Sequence, residues 1–140
     1  MNNPLFNVQR FFSKFPNIDL GDIKLRDLML ADKERYYDMM SDPEVVQDLS
    51  EEDMPDSLDD AAVEIKFWGG LFYRMQSIFW AIADSNDDFI GTIGFNSWNI
   101  NNQRAEISYD LMRSHWRKGI MTKALTNALL FGFKDMNLLR

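Results

Sequence analysis

Five basic residues, Arg113, Arg117, Lys118, Lys123 and Lys134, fall within residues 111–134 with no Asp or Glu beside them, in a chain of formal net charge -7. The centre of this inversion, His115-Trp116-Arg117-Lys118-Gly119-Ile120-Met121-Thr122, joins a strand-like segment to a helix-like one. The first turn of a helix presents amide protons without partners and the positive end of the helix dipole, so it receives an anion readily. Gly119 permits positive φ and close backbone approach, which lets successive amides curve round a phosphate. Lys123 points the same way, because a cation in the first helical turn opposes the dipole at a cost of about 0.3 kcal/mol or more. The competing reading is a solvated basic face with an incidental glycine.

A second set of polar side chains precedes this loop. From Arg104 to Met112 the sequence alternates, with Ala105, Ile107, Tyr109 and Leu111 on one face and Glu106, Ser108 and Asp110 on the other. That polar face is either part of a site or solvated. His115 is the only histidine; its unperturbed pKa suits a base, and its place beside the loop suits a turn role. Trp80, Trp98 and Phe95 read as core or as an aromatic cage for substrate. There is no cysteine, which removes a thiol nucleophile, thiolate zinc sites and disulfides together, and no metal site is expected.

The elements that must position these residues follow from periodicity. Ile23 to Leu28 alternates as a half-buried strand, and residues 31–41 turn helical until Asp42-Pro43 ends them. A short second turn is expected over residues 44–49, then an acidic connector over 50–56. Ser57 stands at a helix cap, with Asp60 in the place of a capping-box acid. Leu58, Ala61, Ile65, Trp68, Phe72 and Met75 recur at helical spacing, with Gly69-Gly70 in the middle of that run. Close packing or a bend must offset the two glycines. Ile78 to Ala83 and Phe89 to Trp98 read as antiparallel strands joined through Asn86-Asp87-Asp88, and the segment from Arg104 completes a meander. Met121, Ala124, Leu125, Ala128 and Phe131 define a last helix ending near Phe133 or Lys134, after which Leu138-Leu139-Arg140 begins as a strand.

Glu106-Ile107-Ser108-Tyr109-Asp110-Leu111, followed by His115 through Leu125, resembles the acetyl-CoA signature of the GNAT N-acetyltransferases. It is most similar to the branch containing the ribosomal-protein alanine N-acetyltransferases (RimJ/RimL-like). The order of elements fits that family over 23–140. The family pattern of Gln or Arg, two variable residues, Gly, one variable residue, and Gly or Ala falls on Trp116 through Met121. Gly119 matches its central glycine; Trp116 and Met121 depart from it, as residues in the ribosomal branch do. Lys123 replaces an acid and Ser108 a glycine.

The resemblance implies an α+β domain: a mixed sheet of mainly antiparallel strands flanked by helices, over 23–140, preceded by an N-terminal arm over 1–22. It implies acetyl-CoA as cosubstrate, with the amides of Arg117, Lys118, Gly119, Ile120, Met121 and Thr122 around the pyrophosphate and the Leu111 and Met112 backbone along the pantetheine arm. It implies acetyl transfer to a primary amine, a polypeptide N-terminus or a small molecule, with Glu106 as the general base. A tyrosine general acid is expected beyond Arg140, so the domain reads as cut short after its signature helix. An open sheet edge and self-association are the expected consequence.

Composition bounds the alternatives. At 140 residues and 46% hydrophobic content the chain suits one domain. Its acidity argues against nucleic acid as partner, since binding a polyanion relies on Lys and Arg displacing condensed counterions. No segment approaches the roughly 20 apolar residues that cross a bilayer; no membrane partner and a cytoplasmic location are expected. The aromatic residues from Phe6 to Phe15 form either a short membrane-surface helix or an arm packed on its own domain or on a second subunit. The rivals to an enzyme are a non-catalytic CoA-binding or interaction module and an α+β scaffold whose basic turn is incidental.

Overall fold

The computed structural model describes residues 6–47 and 54–140. In chain order the elements are α1 (Val8–Phe11), β1 (Ile18–Asp19), β2 (Ile23–Asp27), α2 (Lys33–Met40), α3 (Leu58–Gly70), β3 (Phe79–Asp84), β4 (Phe89–Asn99), β5 (Arg104–Leu111) and α4 (Ile120–Asp135). The five strands form one sheet in the order β1-β2-β3-β4-β5, each pair antiparallel. Most of the expected acidic connector, and the end of the turn before it, lie outside the described residues.

Two clusters of buried side chains cover the two faces of the sheet. On one face Leu25, Trp80, Ile82, Ile93 and Phe95 pack with Leu111 and with Ala124 and Ala128 of α4. On the other, Ala81 and Phe89 pack with Tyr36 and Met39 of α2 and Ala61 and Ile65 of α3. Period-two alternation sorts neighbours such as Trp80 and Ala81 onto opposite faces. Each fully buried large side chain contributes about 1.5–3 kcal/mol by removal from water.

The arm is part of this packing. Phe11 and Phe12 meet Trp98 and Phe72, and the Trp80 indole donates to the Pro16 carbonyl at 2.8 Å. Its aromatic residues therefore pack on the domain itself. β1 lies inside the arm expected over 1–22 and pairs with β2, so the sheet begins before residue 23.

The cap of α3 forms as expected, with the Asp60 amide donating to Ser57 Oγ at 3.2 Å. The reciprocal half differs: the Asp60 carboxylate accepts from the Asp56 amide at 3.1 Å. Gly69 and Gly70 stand at the end of α3 rather than in its middle, and Met75, expected on the helix, has φ 58°. Close packing accounts for Gly69, where a Cβ would lie 2.8 Å from the Leu28 carbonyl oxygen.

After α4, residues 138–140 adopt no assigned strand, yet they lie along the start of β5. The Leu139 amide donates to the Gln103 carbonyl at 2.7 Å and the Ala105 amide to the Arg140 carbonyl at 3.1 Å. Both bonds advance in the same sense along the two segments, so the chain returns parallel to β5.

Candidate active site

The loop between β5 and α4 has the geometry its composition suggests. Arg117 and Gly119 both lie in the left-handed region, at φ 63° and 75°, and Gly119 is the N-cap of α4 without offering a side-chain acceptor. Among the described residues, the six amides from Arg117 to Thr122 have no acceptor; the next, Lys123, donates to the Gly119 carbonyl at 3.1 Å. Arg117, Lys118, Gly119 and Thr122 are exposed, Ile120 and Met121 half-buried. All of these residues but Lys118 border a groove of about 380 Å³ whose other walls include Val45, Tyr109, His115 and Trp116. The Trp116 indole fixes the loop to the strand by donating to the Leu111 carbonyl at 2.8 Å.

Lys123 has a different explanation from the one its position suggests. Its ammonium pairs with Asp22 at 2.6 Å, holding the end of β1–β2 to the start of α4, and the Asp22 carboxyl is lowered by that hydrogen bond. Arg113 likewise pairs with Asp42 at 3.1 Å. Of the basic residues named around the loop, Arg117 and Lys118 form no ion pair among the described residues, so the charge facing the groove is narrower than the count of cations implies. His115 touches Ser114 at 3.0 Å, and burial, then Lys118, lowers its pKa.

The strand edge open to an extended ligand is set by register. The Met112 amide donates to the Ile90 carbonyl at 2.8 Å, so its backbone faces β4. Backbone direction alternates along an antiparallel strand, which turns Asp110, Ser108 and Glu106 towards β4 as well. The groups of Leu111, Tyr109 and Ile107 point out of the sheet, as the outward amide of Ala105 confirms. Of the two residues expected along a pantetheine arm, Leu111 turns its backbone groups outward and Met112 turns its amide towards β4.

The polar side chains of β5 face α2 and α3. Ser108 and Asp110 line a cavity of about 580 Å³ together with Tyr36, Glu64, Phe67 and Trp68. The Tyr36 hydroxyl donates to Glu64 at 2.8 Å, and its pKa is pushed up by burial and then by that acceptor. Asn96 donates to Ser108 across the strands. Asp110 accepts no hydrogen bond and forms no ion pair among the described residues, and burial pushes its carboxyl up to about 6. Alternation in the sequence placed Asp110 on the polar face; that helices cover this face is visible only in the fold.

Glu106, the sequence candidate for the base, is exposed beside Trp68, Ser97 and Trp98 in an adjoining hollow. It shares the face of Asp110 but lies four residues away, roughly 13 Å along the strand. Trp80 and Phe95 are fully buried core, and half-buried Trp98 packs on the arm. No group of metal-binding side chains occurs among the described residues, and no helix among them is long and apolar enough to cross a membrane.

Residues 22–140 match the acetyltransferase (GNAT) domain family. The chain is 29% identical to the N-acetyltransferase YoaA of Bacillus subtilis, over 90% of this chain and 71% of that protein. It is 34% identical to the N-acetyltransferase p20 of Bacillus licheniformis, over 84% of this chain and 66% of the relative. The chain thus spans about two thirds of the length of these relatives. Its fold matches RimL, a ribosomal alpha-N-protein acetyltransferase, at TM-score 0.72 and 20% identity, covering 90% of this chain and 68% of that one. It also matches the microcin self-immunity acetyltransferase MccE in complex with acetyl-CoA and AMP, at TM-score 0.71 and 20% identity over 85% and 66%. With this family match over most of its length, and with the sheet, loop and helix arranged as described, the chain belongs to the GNAT acetyltransferases, a family of acyltransferases.

Proposed function

We propose that this chain binds acetyl-CoA along the β5 edge and the β5–α4 loop and transfers its acetyl group to a primary amine. The observation that carries this reading is the run of six amides, 117–122, without acceptors among the described residues at the start of a sixteen-residue helix, with every residue of the run but Lys118 lining a groove. A pyrophosphate supplies the acceptors that these amides lack. The outward groups of Tyr109 and Ile107 and the Leu111 amide suit an extended amide-bearing arm, and one such amide suits the oxyanion of a thioester under attack. These residues fit the cosubstrate without a metal or a cysteine.

Transfer requires a free-base amine, and a carboxylate on the polar face of β5 removes its proton directly or through one water. Glu106 is the residue the family resemblance nominates, although it is the most exposed of the three on that face. The acceptor is a peptide N-terminus or a small molecule; likeness to RimL supports the former class no more than likeness to MccE supports the latter.

Two measurements test the reading. CoA or acetyl-CoA raises the melting temperature, as a ligand preferring the native state must, and thiol is released on adding an amine panel. Glu106→Gln lowers turnover by about 10²-fold with CoA affinity kept; full activity in that variant removes Glu106 from the role. A thermal shift without thiol release from any amine leaves a CoA-binding module in place of an enzyme.

A further inference from the structure

Of the two carboxylates that line the α2–α3–β5 cavity, Glu64 has a partner and Asp110 has none among the described residues. Tyr36 is satisfied by Glu64, and Ser108 by Asn96. Asp110 has neither a hydrogen bond nor an ion pair among the described residues, although it is largely withdrawn from water. Asp110 is half-buried, and a carboxylate partly withdrawn from water without a partner is costlier than a solvated one; the ordinary remedy is a cation. The walls above it are Leu28, Met40, Val63, Phe67, Trp68 and Phe79. Val63 and Phe67 are 66% and 51% exposed, so α3 presents large apolar side chains that nothing in the described fold covers. The volume, about 580 Å³, lies within the usual range for small-molecule sites.

Asp110 is also the one residue that lines both this cavity and the groove of the β5–α4 loop. It stands where a ligand in one would meet a ligand in the other. The outward amides of Tyr109 and Leu111 bracket it along the strand.

We propose that this cavity takes the acceptor as a primary amine carried on an apolar or aromatic group, with the Asp110 carboxylate receiving the proton of its ammonium. The inference rests on the acetyl-transfer reading and narrows its substrate. The ammonium pairs with Asp110 and gives it one proton, leaving a neutral amine against the thioester. The nitrogen forms a bond to the carbonyl carbon while an outward β5 amide holds the oxygen. The carbon–sulfur bond then breaks, and the second nitrogen proton passes to the departing sulfur. Asp110 releases its proton to water as the amide leaves, so one ammonium and one thioester give one amide, one thiol and one proton. A carboxyl poised near 6 accepts a proton better than an ordinary aspartate and is still ionised at neutral pH.

The test uses the 140-residue chain and four measurements. Calorimetry gives CoA affinity, and separately the affinities of 2-phenylethylamine and methylamine with CoA present. Thiol release from acetyl-CoA is followed with both amines and with a phenylalanine-initiated tripeptide, whose ratio to 2-phenylethylamine tells a peptide source from a free amine. All are repeated in Asp110→Asn. The expected result is 2-phenylethylamine binding about ten-fold or more above methylamine, a loss of that binding in Asp110→Asn, and CoA binding retained in the variant.

A pH profile separates binding from proton transfer. The groups facing Asp110 are Tyr36 from α2, Glu64 from α3, and Tyr109, His115 and Arg117 from the groove side. Wild-type kcat/KM falls as pH drops through about 6; Asp110→Asn loses that limb and His115→Gln keeps it. Equal binding of the two amines, or an Asp110→Asn variant with wild-type amine affinity, overturns the inference whether or not CoA binds. Absence of CoA binding with amine binding still dependent on Asp110 instead defeats the acetyl-transfer reading and leaves the amine site standing.

Discussion

Gly119 and Asp110 are single positions at which the site depends on backbone and burial more than on side-chain reach. Gly119 has φ 75° with nothing within 4 Å of where a Cβ would stand. Its replacement meets no neighbour, so the obstacle is conformational: a left-handed non-glycine residue costs about 1–2 kcal/mol, and a β-branched one resists it most. Gly119→Val therefore yields a folded protein whose 117–122 amides no longer converge, and the CoA-induced rise in melting temperature disappears; an unchanged rise places the ligand elsewhere. Asp110 carries a stability prediction independent of any substrate. Its folded carboxyl is raised from 3.8 to about 6, so between those values the native state holds a proton that the unfolded state has lost. Stability falls as pH rises through that window and stays lower above it. Asp110→Asn removes the penalty and raises stability at neutral pH by on the order of 2 kcal/mol, with little effect near the bottom of the window. Thermal melts at the two pH extremes check the sign. A more stable variant with less activity is what a functional carboxylate held out of water predicts.

At the scale of elements, α3 shows how sequence and fold divide the information. Ser57, Ala61 and Ile65 were legible because cap chemistry and helical spacing are local. The end of the helix was not, since Trp68, Phe72 and Met75 continue the period while the chain turns beneath them. The two glycines at that end predict opposite outcomes. An alanine Cβ at Gly69 meets the Leu28 carbonyl, a backbone atom that cannot withdraw; at Gly70 it meets the Arg74 guanidinium, the far end of a flexible side chain. Gly69→Ala loses about 1–3 kcal/mol in denaturant unfolding, whereas Gly70→Ala is neutral or gains up to about 1 kcal/mol from helix propensity. Equal effects would mean that the Leu28 contact does not set the approach of α3 to the sheet. The loop shows the same division. Gly119 and the acid-free run were readable, but that Lys123 serves Asp22 and that Met112 faces β4 depends on long-range pairing and strand register, neither of which has a local signature. Asp110 was missed for a related reason: alternation fixes which side a residue takes, and the helices packed over that side are chosen by the tertiary fold.

For the molecule as a whole, β5 is the longer of the two edge strands of the sheet. Its beginning is covered by residues 139 and 140 against 103 and 105, and at its far end the Leu111 carbonyl accepts from the Trp116 indole. Ile107, Tyr109 and Leu111 continue the edge, and Tyr109 is 48% exposed. Unpaired strand edges recruit further strands. In the proposed function the same groups receive the pantetheine arm, so one edge has two competing occupants, a second copy of the chain and CoA. The net charge of -7 opposes association between copies, while the cations at Arg117 and Lys118 favour the anionic ligand. The apparent mass in light scattering should therefore rise with protein concentration in the absence of ligand and return towards the monomer as CoA saturates the groove. Added salt should shift the balance towards self-association, because it screens repulsion between chains and weakens attraction of the pyrophosphate together. An oligomer indifferent to CoA would assign the contact to another face, of which the exposed Leu130 and Phe133 of α4 are the nearest apolar example; substituting Phe133 by Glu would then disperse it, and CoA binding would remain as before.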